Sequence, residues 1–242
     1  MALSEFFIRY LECRDALSAA ERNRLLSLPT RRVRFDSGGI IVSQEALVTE
    51  SCLMIAGMSA RVHNLLSNRD RVITALHVPG DFVDLHGFVL ARLEHCVVAQ
   101  GPAEVEFVSH DVLRELTREW PHLTRLLWMS TAIDAAIHRQ WLVAAASLRS
   151  SAHLAHLLCE IYVRLRSVGA ARDLTFALPL LQRDLACILG YSPIHINRAV
   201  RDLRERGLLR WSGAEIRILD WDRLSTLARF DSAYLDLNKL HR

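Results

Sequence analysis

Residues Leu181 to Ile218 read LQRDLACILGYSPIHINRAVRDLRERGLLRWSGAEIRI, and their spacing decides the fold. A first short helix is expected from Gln182 to Leu189, with Leu185, Ala186 and Leu189 on one face. Gly190 ends it, because glycine accepts the left-handed conformation of a helix exit. Ser192 follows as an N-cap, and Pro193 takes the first helical position, where its missing N–H costs nothing. The second helix runs from Pro193 to about Arg206, with Ile196, Ala199, Val200 and Leu203 as its buried stripe. Ala186 is small enough for a steep helix crossing, and Gly190 stands four residues later. That spacing is a helix-turn-helix.

After Gly207 two β-type runs flank Ser212-Gly213, which reads as the hairpin wing of a winged helix. From Gln182 to Arg217 there are seven arginines against four acids, a net of +3, equal to the +3 of the whole chain. Charge focused on one module is the footprint of phosphate binding. A plain helical hairpin with a solvated basic face is the alternative. In a DNA-binding module the second helix would present Ile194, His195, Asn197, Arg198 and Arg201 to the major groove. Arg198 is the expected base reader, since the guanidinium fork matches guanine O6 and N7. One feature dilutes this: Lys239 is the sole lysine, so arginine is this chain's default cation.

At 242 residues the chain has room for two domains with real cores. No apolar run is long enough to span a bilayer, and the N-terminus lacks a signal-peptide pattern, so no membrane partner and a cytoplasmic location are expected. Five dispersed cysteines, Cys13, Cys52, Cys96, Cys159 and Cys187, form neither a disulfide framework nor a zinc motif, and each is expected as a small buried hydrophobe.

Working outward, residues 1 to 27 read as helical, with a Ser18/Glu21 capping box. From about Arg31 to Ser109 short β-type runs alternate with turns, the clearest at 36–39 and 67–70, which suggests a β-sandwich, barrel or roll. A helical insert is expected from Phe82 to Leu93. A short helix from Asp111 precedes a long one that opens at Pro121. Its stripe of Leu123, Leu126, Leu127, Ile133, Ile137, Trp141 and Ala144 suggests a partner helix, with Leu126, Leu127, Ile133, Ile137 and Trp141 as the dimer seam. Packing wholly within its own chain is the alternative. A further helix spans Ser150 to Val168, Gly169 to Thr175 is a loop, and the tail from Trp221 to Leu240 reads as helical. The expected class is α+β: an N-terminal β-roll in 1–120, a dimerisation helix in 121–148 and a winged helix-turn-helix in 149–242.

With P-G-D-F at Pro79 to Phe82 and S-P-I-H-I-N-R at Ser192 to Arg198, this order of elements resembles the Crp–Fnr family of bacterial transcription regulators. The resemblance covers nearly the whole chain. It implies a cyclic-nucleotide-binding-like β-roll, a homodimer on a roughly palindromic double-stranded DNA site, RNA polymerase as a further partner, and no enzymatic activity. It puts Arg198 on the family's guanine-contacting arginine, Ser192 on a backbone-contacting serine and Gln182 near the phosphates. Two positions depart: Pro193 stands where a basic residue is found, and Ile194 where a glutamate reads a base. An isoleucine offers only apolar contact, as to a thymine methyl.

The implied effector pocket comprises Asp84, Leu85, His86, Arg92, His95 and Cys96. Leu85 replaces the ribose-binding glutamate of the cyclic-AMP branch, and His95-Cys96 its phosphate-binding Arg-Ser pair, with Arg92 three residues upstream as a substitute. A buried phosphate without a cation is costly, so cyclic AMP is not expected. Cys13 stands alone at the N-terminus, so neither is an iron–sulfur cluster, and the effector is left open. A cyclic-nucleotide regulator with a divergent pocket is the second reading. His77, His86 and His95 recur at steps of nine, yet partly buried histidines without a ligand are the plainer reading, and no metal is expected. A cupin-like metal enzyme would need an H-x-H pair in the strands, which is missing; a dimeric interaction module that binds no DNA is the remaining rival.

Overall fold

The structure, a computed structural model, describes residues 4–44, 47–64, 71–90 and 92–239. Two helices open the chain, α1 (Glu5–Glu12) and α2 (Ala19–Leu26). The Ser18/Glu21 capping box forms at the start of α2. Glu21 also meets His122 Nδ1 at 2.6 Å, which pins α2 to the start of the long helix.

Seven strands follow: β1 (Arg31–Phe35), β2 (Ile40–Val42), β3 (Glu50–Ala56), β4 (Ser59–Asn64), β5 (Arg71–His77), β6 (Cys96–Ala99) and β7 (Ala103–Ser109). They make two antiparallel sheets, ordered β1-β7-β3 and β2-β6-β4-β5. Ile41, Val42, Cys52, Met54, Val83, Leu93, Val97 and Val105 form an apolar cluster drawn from both sheets and the segment between β5 and β6. This is the expected β-roll. The 36–39 turn forms, with Gly39 N–H donating to Asp36 O at 2.9 Å, whereas the 67–70 turn lies outside the described residues. Arg32 donates to the fully buried Glu106 at 2.6 Å, and Glu106 also takes the Ser4 N–H at 2.8 Å, fastening the N-terminal segment to the roll.

The expected helix at 82–93 shrinks to one 3-10 turn, Leu85–Phe88. Its first residues are claimed by the sheet: Phe82 bridges Leu53, and Val83 N–H donates to Cys52 O at 3.0 Å. A residue bonded to a strand cannot also close a helical turn.

Helix α3 (His110–Glu119) leads into α4 (Pro121–Ser147), 27 residues long, and α5 (Ser150–Ser167). The C-terminal module holds β8 (Thr175–Ala177), α6 (Gln182–Leu189), α7 (Pro193–Glu205), β9 (Leu209–Ser212), β10 (Glu215–Ile218) and α8 (Trp221–Ala228). Its sheet is ordered β8-β10-β9, so the wing hairpin gains a third strand where the sequence suggested only a loop. The tail is not one helix: Arg229 turns left-handed (φ 46°), and a 3-10 turn at Ser232–Leu235 follows. Among the described residues no helix is long and apolar enough to cross a membrane.

The module is locked to the roll through α5. Arg164, 6% exposed, donates to Glu160 at 3.0 Å, to Asp81 of the P-G-D-F turn at 2.7 Å and to Leu76 O of β5 at 2.8 Å. Glu160 also accepts from Trp141 Nε1 at 3.1 Å and from the Tyr234 hydroxyl at 2.8 Å, tying α4 and the tail into the same knot. The two carboxylates flanking Arg164 outweigh its desolvation and raise its pKa.

Helix α4 buries most of the expected seam residues within its own chain. Leu126, Leu127, Ile133 and Ile137 are each less than a tenth exposed within their own chain, and Trp141 is half-buried against Glu160. The largest apolar residues took the intrachain face, where the roll and α5 were already present to cover them. The outward face steps Arg125, Trp128, Ala132, Ala135, Arg139, Leu142, Ala146, alternating three and four residues. Trp128 is 75% exposed and Leu142 72%.

Candidate nucleic-acid interface

Helix α6 ends at Gly190, whose φ of +70° is the left-handed exit a β-carbon would strain. Ser192 caps α7 by accepting the His195 N–H at 3.4 Å, and Pro193 sits in the first turn. Leu185, Ala186 and Leu189 of α6, and Ile196, Ala199 and Leu203 of α7, are all buried; Val200 is half-buried. The pair therefore packs as its spacing implies, and α5 lies beneath α7. Asp184 accepts the Leu181 N–H at 2.9 Å, an N-terminal cap not apparent in the sequence.

All eight candidate interface residues, Gln182, Ser192, Pro193, Ile194, His195, Asn197, Arg198 and Arg201, are exposed. Five of that set, Gln182, Ile194, Asn197, Arg198 and Arg201, line one open concavity together with Val200, Arg204 and Glu205. His195 is partly engaged, its Nδ1 2.8 Å from Ser192 Oγ. Arg198, Arg201 and Arg204 form no ion pair with the described residues, so three guanidinium forks stand ready along one helix face. Arg206 is different: it folds back on Asp202 at 2.8 Å. In the wing, Arg210 and Arg217 are also exposed and paired across the hairpin, which extends the basic surface beyond the helix. Arg204 and the wing arginines had no place among the candidates. Arg204 lies three residues beyond Arg201, a spacing that puts both on one helix face.

The pocket candidates are not gathered around one cavity. Asp84 is buried, its carboxylate accepting the Cys52 N–H at 2.7 Å, and burial lifts its pKa to about 7. Leu85 and His86 face a groove against α4, beside Thr124, Leu127, Trp128 and Thr131. Arg92 is exposed, Cys96 half-buried and His95 wholly buried. The residues the sequence reading missed are Arg61 and its neighbours. Arg61, 4% exposed on β4, donates to Asp134 of α4 at 3.0 Å and to Val83 O at 3.2 Å, and lies 3.3 Å from His138 Nε2. An arginine inside the A-R-V-H run of a buried strand was the available signal. His77 is bonded through Nδ1 to Ser59 Oγ at 3.1 Å. All five cysteines are free; Cys52 and Cys159 are buried as expected, but Cys187 is exposed on α6.

Residues 152–227 match the model of the Crp-like helix-turn-helix domain. The nitrogen fixation regulation protein FixK of Bradyrhizobium diazoefficiens is 26% identical over 225 residues, 93% of either chain. The transcriptional activator protein FnrA of Stutzerimonas stutzeri is 23% identical, over 74% of this chain and 72% of that one. The fold is similar to that of FixK2 from Bradyrhizobium japonicum, with a TM-score of 0.73 at 23% identity, covering 83% of this chain and 98% of that one.

Proposed function

We propose that the chain is a transcription regulator of the Crp–Fnr type that acts as a cytoplasmic homodimer reading a two-fold-related pair of DNA half-sites. The single observation that carries this is the exposed face of α7, where Ile194, Asn197, Arg198, Arg201 and Arg204 share one concavity left open by the rest of the chain. Arg198 reads a guanine, Ser192 and Gln182 hold the backbone, and Ile194 makes an apolar contact where a carboxylate would read a cytosine. Two helices α7 related by a two-fold axis set the half-site spacing at about one helical turn or a multiple of it. The dimer seam is the outward 3-4 stripe of α4, with Trp128 and Leu142 as its largest apolar members. In this reading residues 1–120 sense, 121–148 dimerise and 149–242 bind DNA. The likeness to a named activator supports contact with RNA polymerase.

Site selection from random duplexes followed by mobility-shift titration tests the proposal. Arg198→Ala is expected to weaken the selected site by roughly 10- to 100-fold, about 1–3 kcal/mol, with random duplex affected far less. An equal loss on both duplexes removes Arg198 as a base reader. A wild-type protein whose DNA affinity does not fall with rising salt removes the whole reading.

A further inference from the structure

Among the described residues, His63, Glu94 and His95 bring one ligand atom each to within 4.8 Å of one another. The sheet makes this meeting. Strands β4 and β6 pair antiparallel with Val62 opposite Cys96, so the next step of the ladder sets His63 across from His95. Thirty-one residues of chain separate the two histidines, and the strand register closes the gap.

His95 is the centre of the group. It is fully buried; its Nδ1 faces the Glu94 carboxylate, and its Nε2 has no hydrogen-bond partner among the described residues. A buried polar group without a partner costs free energy, so its persistence calls for an occupant. Glu94 Oε1 stands 3.2 Å from His95 Nδ1, close to the roughly 3.3 Å that separates donors around a tetrahedral zinc ion with bonds of about 2.0–2.1 Å. Glu94 is itself largely exposed and free to rotate, and it gives an ion a way in from solvent. His63 Nε2 lies 3.1 Å from Thr74 Oγ1. With that contact holding the ring, Nδ1 would serve as the ligand atom, the arrangement usual behind metal-bound imidazoles. His86 stands next, its ring centroid 5.4 Å from that of His95, as a further imidazole within reach. Arg61 is the unfavourable neighbour, but Asp134 at 3.0 Å balances its charge.

We propose that His63, Glu94 and His95 bind one divalent transition-metal ion of the zinc type. Two imidazoles and a carboxylate are a borderline nitrogen–oxygen donor set, suited to zinc and its first-row neighbours and unsuited to magnesium or calcium. The site goes beyond the DNA reading and does not depend on it.

The test is isothermal titration of untagged, chelator-stripped full-length protein with zinc chloride, with magnesium chloride as the control. One zinc per chain and no magnesium binding are expected. Glu94→Gln changes an exposed side chain and His63→Ala a half-buried one. Both should keep the wild-type circular dichroism spectrum and weaken zinc at least tenfold. Thr74→Val should weaken it by about tenfold through the lost second contact of His63. Wild-type protein that takes up no stoichiometric zinc overturns the proposal, as does unchanged affinity in both Glu94→Gln and His63→Ala. A mobility shift on the same stripped protein separates the two readings, since DNA binding without zinc binding sinks only the metal site.

Discussion

Arginine does opposite work at the two ends of this molecule. On α7, Arg198, Arg201 and Arg204 point outward with no anionic partner in the described chain. At the junction of the roll, α4 and α5, Arg61 and Arg164 are almost wholly buried, and each is matched by carboxylates within 3.0 Å. The first set keeps its hydrogen-bonding capacity for a polyanion. The second has spent it inside the protein, where it fixes how elements sit against each other. Counting arginines therefore says little here; what distinguishes them is whether an ion pair is formed within the chain.

Arg164→Leu probes this contrast most severely. It strips the cation from Glu160 and Asp81, of which Glu160 is fully buried, and should destabilise the protein by about 3–5 kcal/mol in urea unfolding. A loss as small as that of an exposed arginine would erase the distinction.

The two faces of α4 allow a finer test. Leu142→Glu on the outward stripe should leave the unfolding midpoint near wild type but raise the dimer dissociation constant tenfold or more, about 2 kcal/mol, in sedimentation. Ile137→Glu should do the reverse, lowering the midpoint first because Ile137 is 7% exposed in its own chain. Dimer loss from Ile137→Glu with full thermal stability would return the seam to the inner face.

The smallest effect concerns the buried acid that has no arginine partner. Asp84 is raised by burial to about 7, so its neutral form stabilises the fold. That contribution is complete below about pH 4, the unfolded value, and is lost as pH rises through 7. Asp84→Asn keeps an oxygen for the Cys52 N–H and removes the titration. The wild-type stability should fall between pH 5 and pH 8 by about 1–2 kcal/mol more than that of the variant. Parallel pH profiles would show that Asp84 ionises as freely as a surface acid.

The reading surface was legible in the sequence because its determinants are local. Gly190, Ser192, Pro193 and the Ile196–Leu203 stripe act within a dozen residues, and each has one conformational meaning. The roll was legible as strands, but its interior was not. Arg61 finds Asp134 across 73 residues, and His63 finds Glu94 and His95 through strand register, which no spacing rule reports. The α4 stripe was read correctly as periodic, and its largest residues are buried within their own chain. Periodicity shows which residues share a face, not whether that face meets the same chain or another. The supposed helix after Asp81 failed for a related reason, since Phe82 and Val83 were taken up by β3.

The outward stripe of α4 also carries Arg125 and Arg139. If the proposed seam sets such charges near their two-fold copies, it would be looser than one of aliphatic residues alone. Dimer formation would then fall within the working range, and operator occupancy would climb with roughly the square of the amount of protein made. A modest rise in synthesis would act on its target genes as a steep one, with the threshold set far from the DNA.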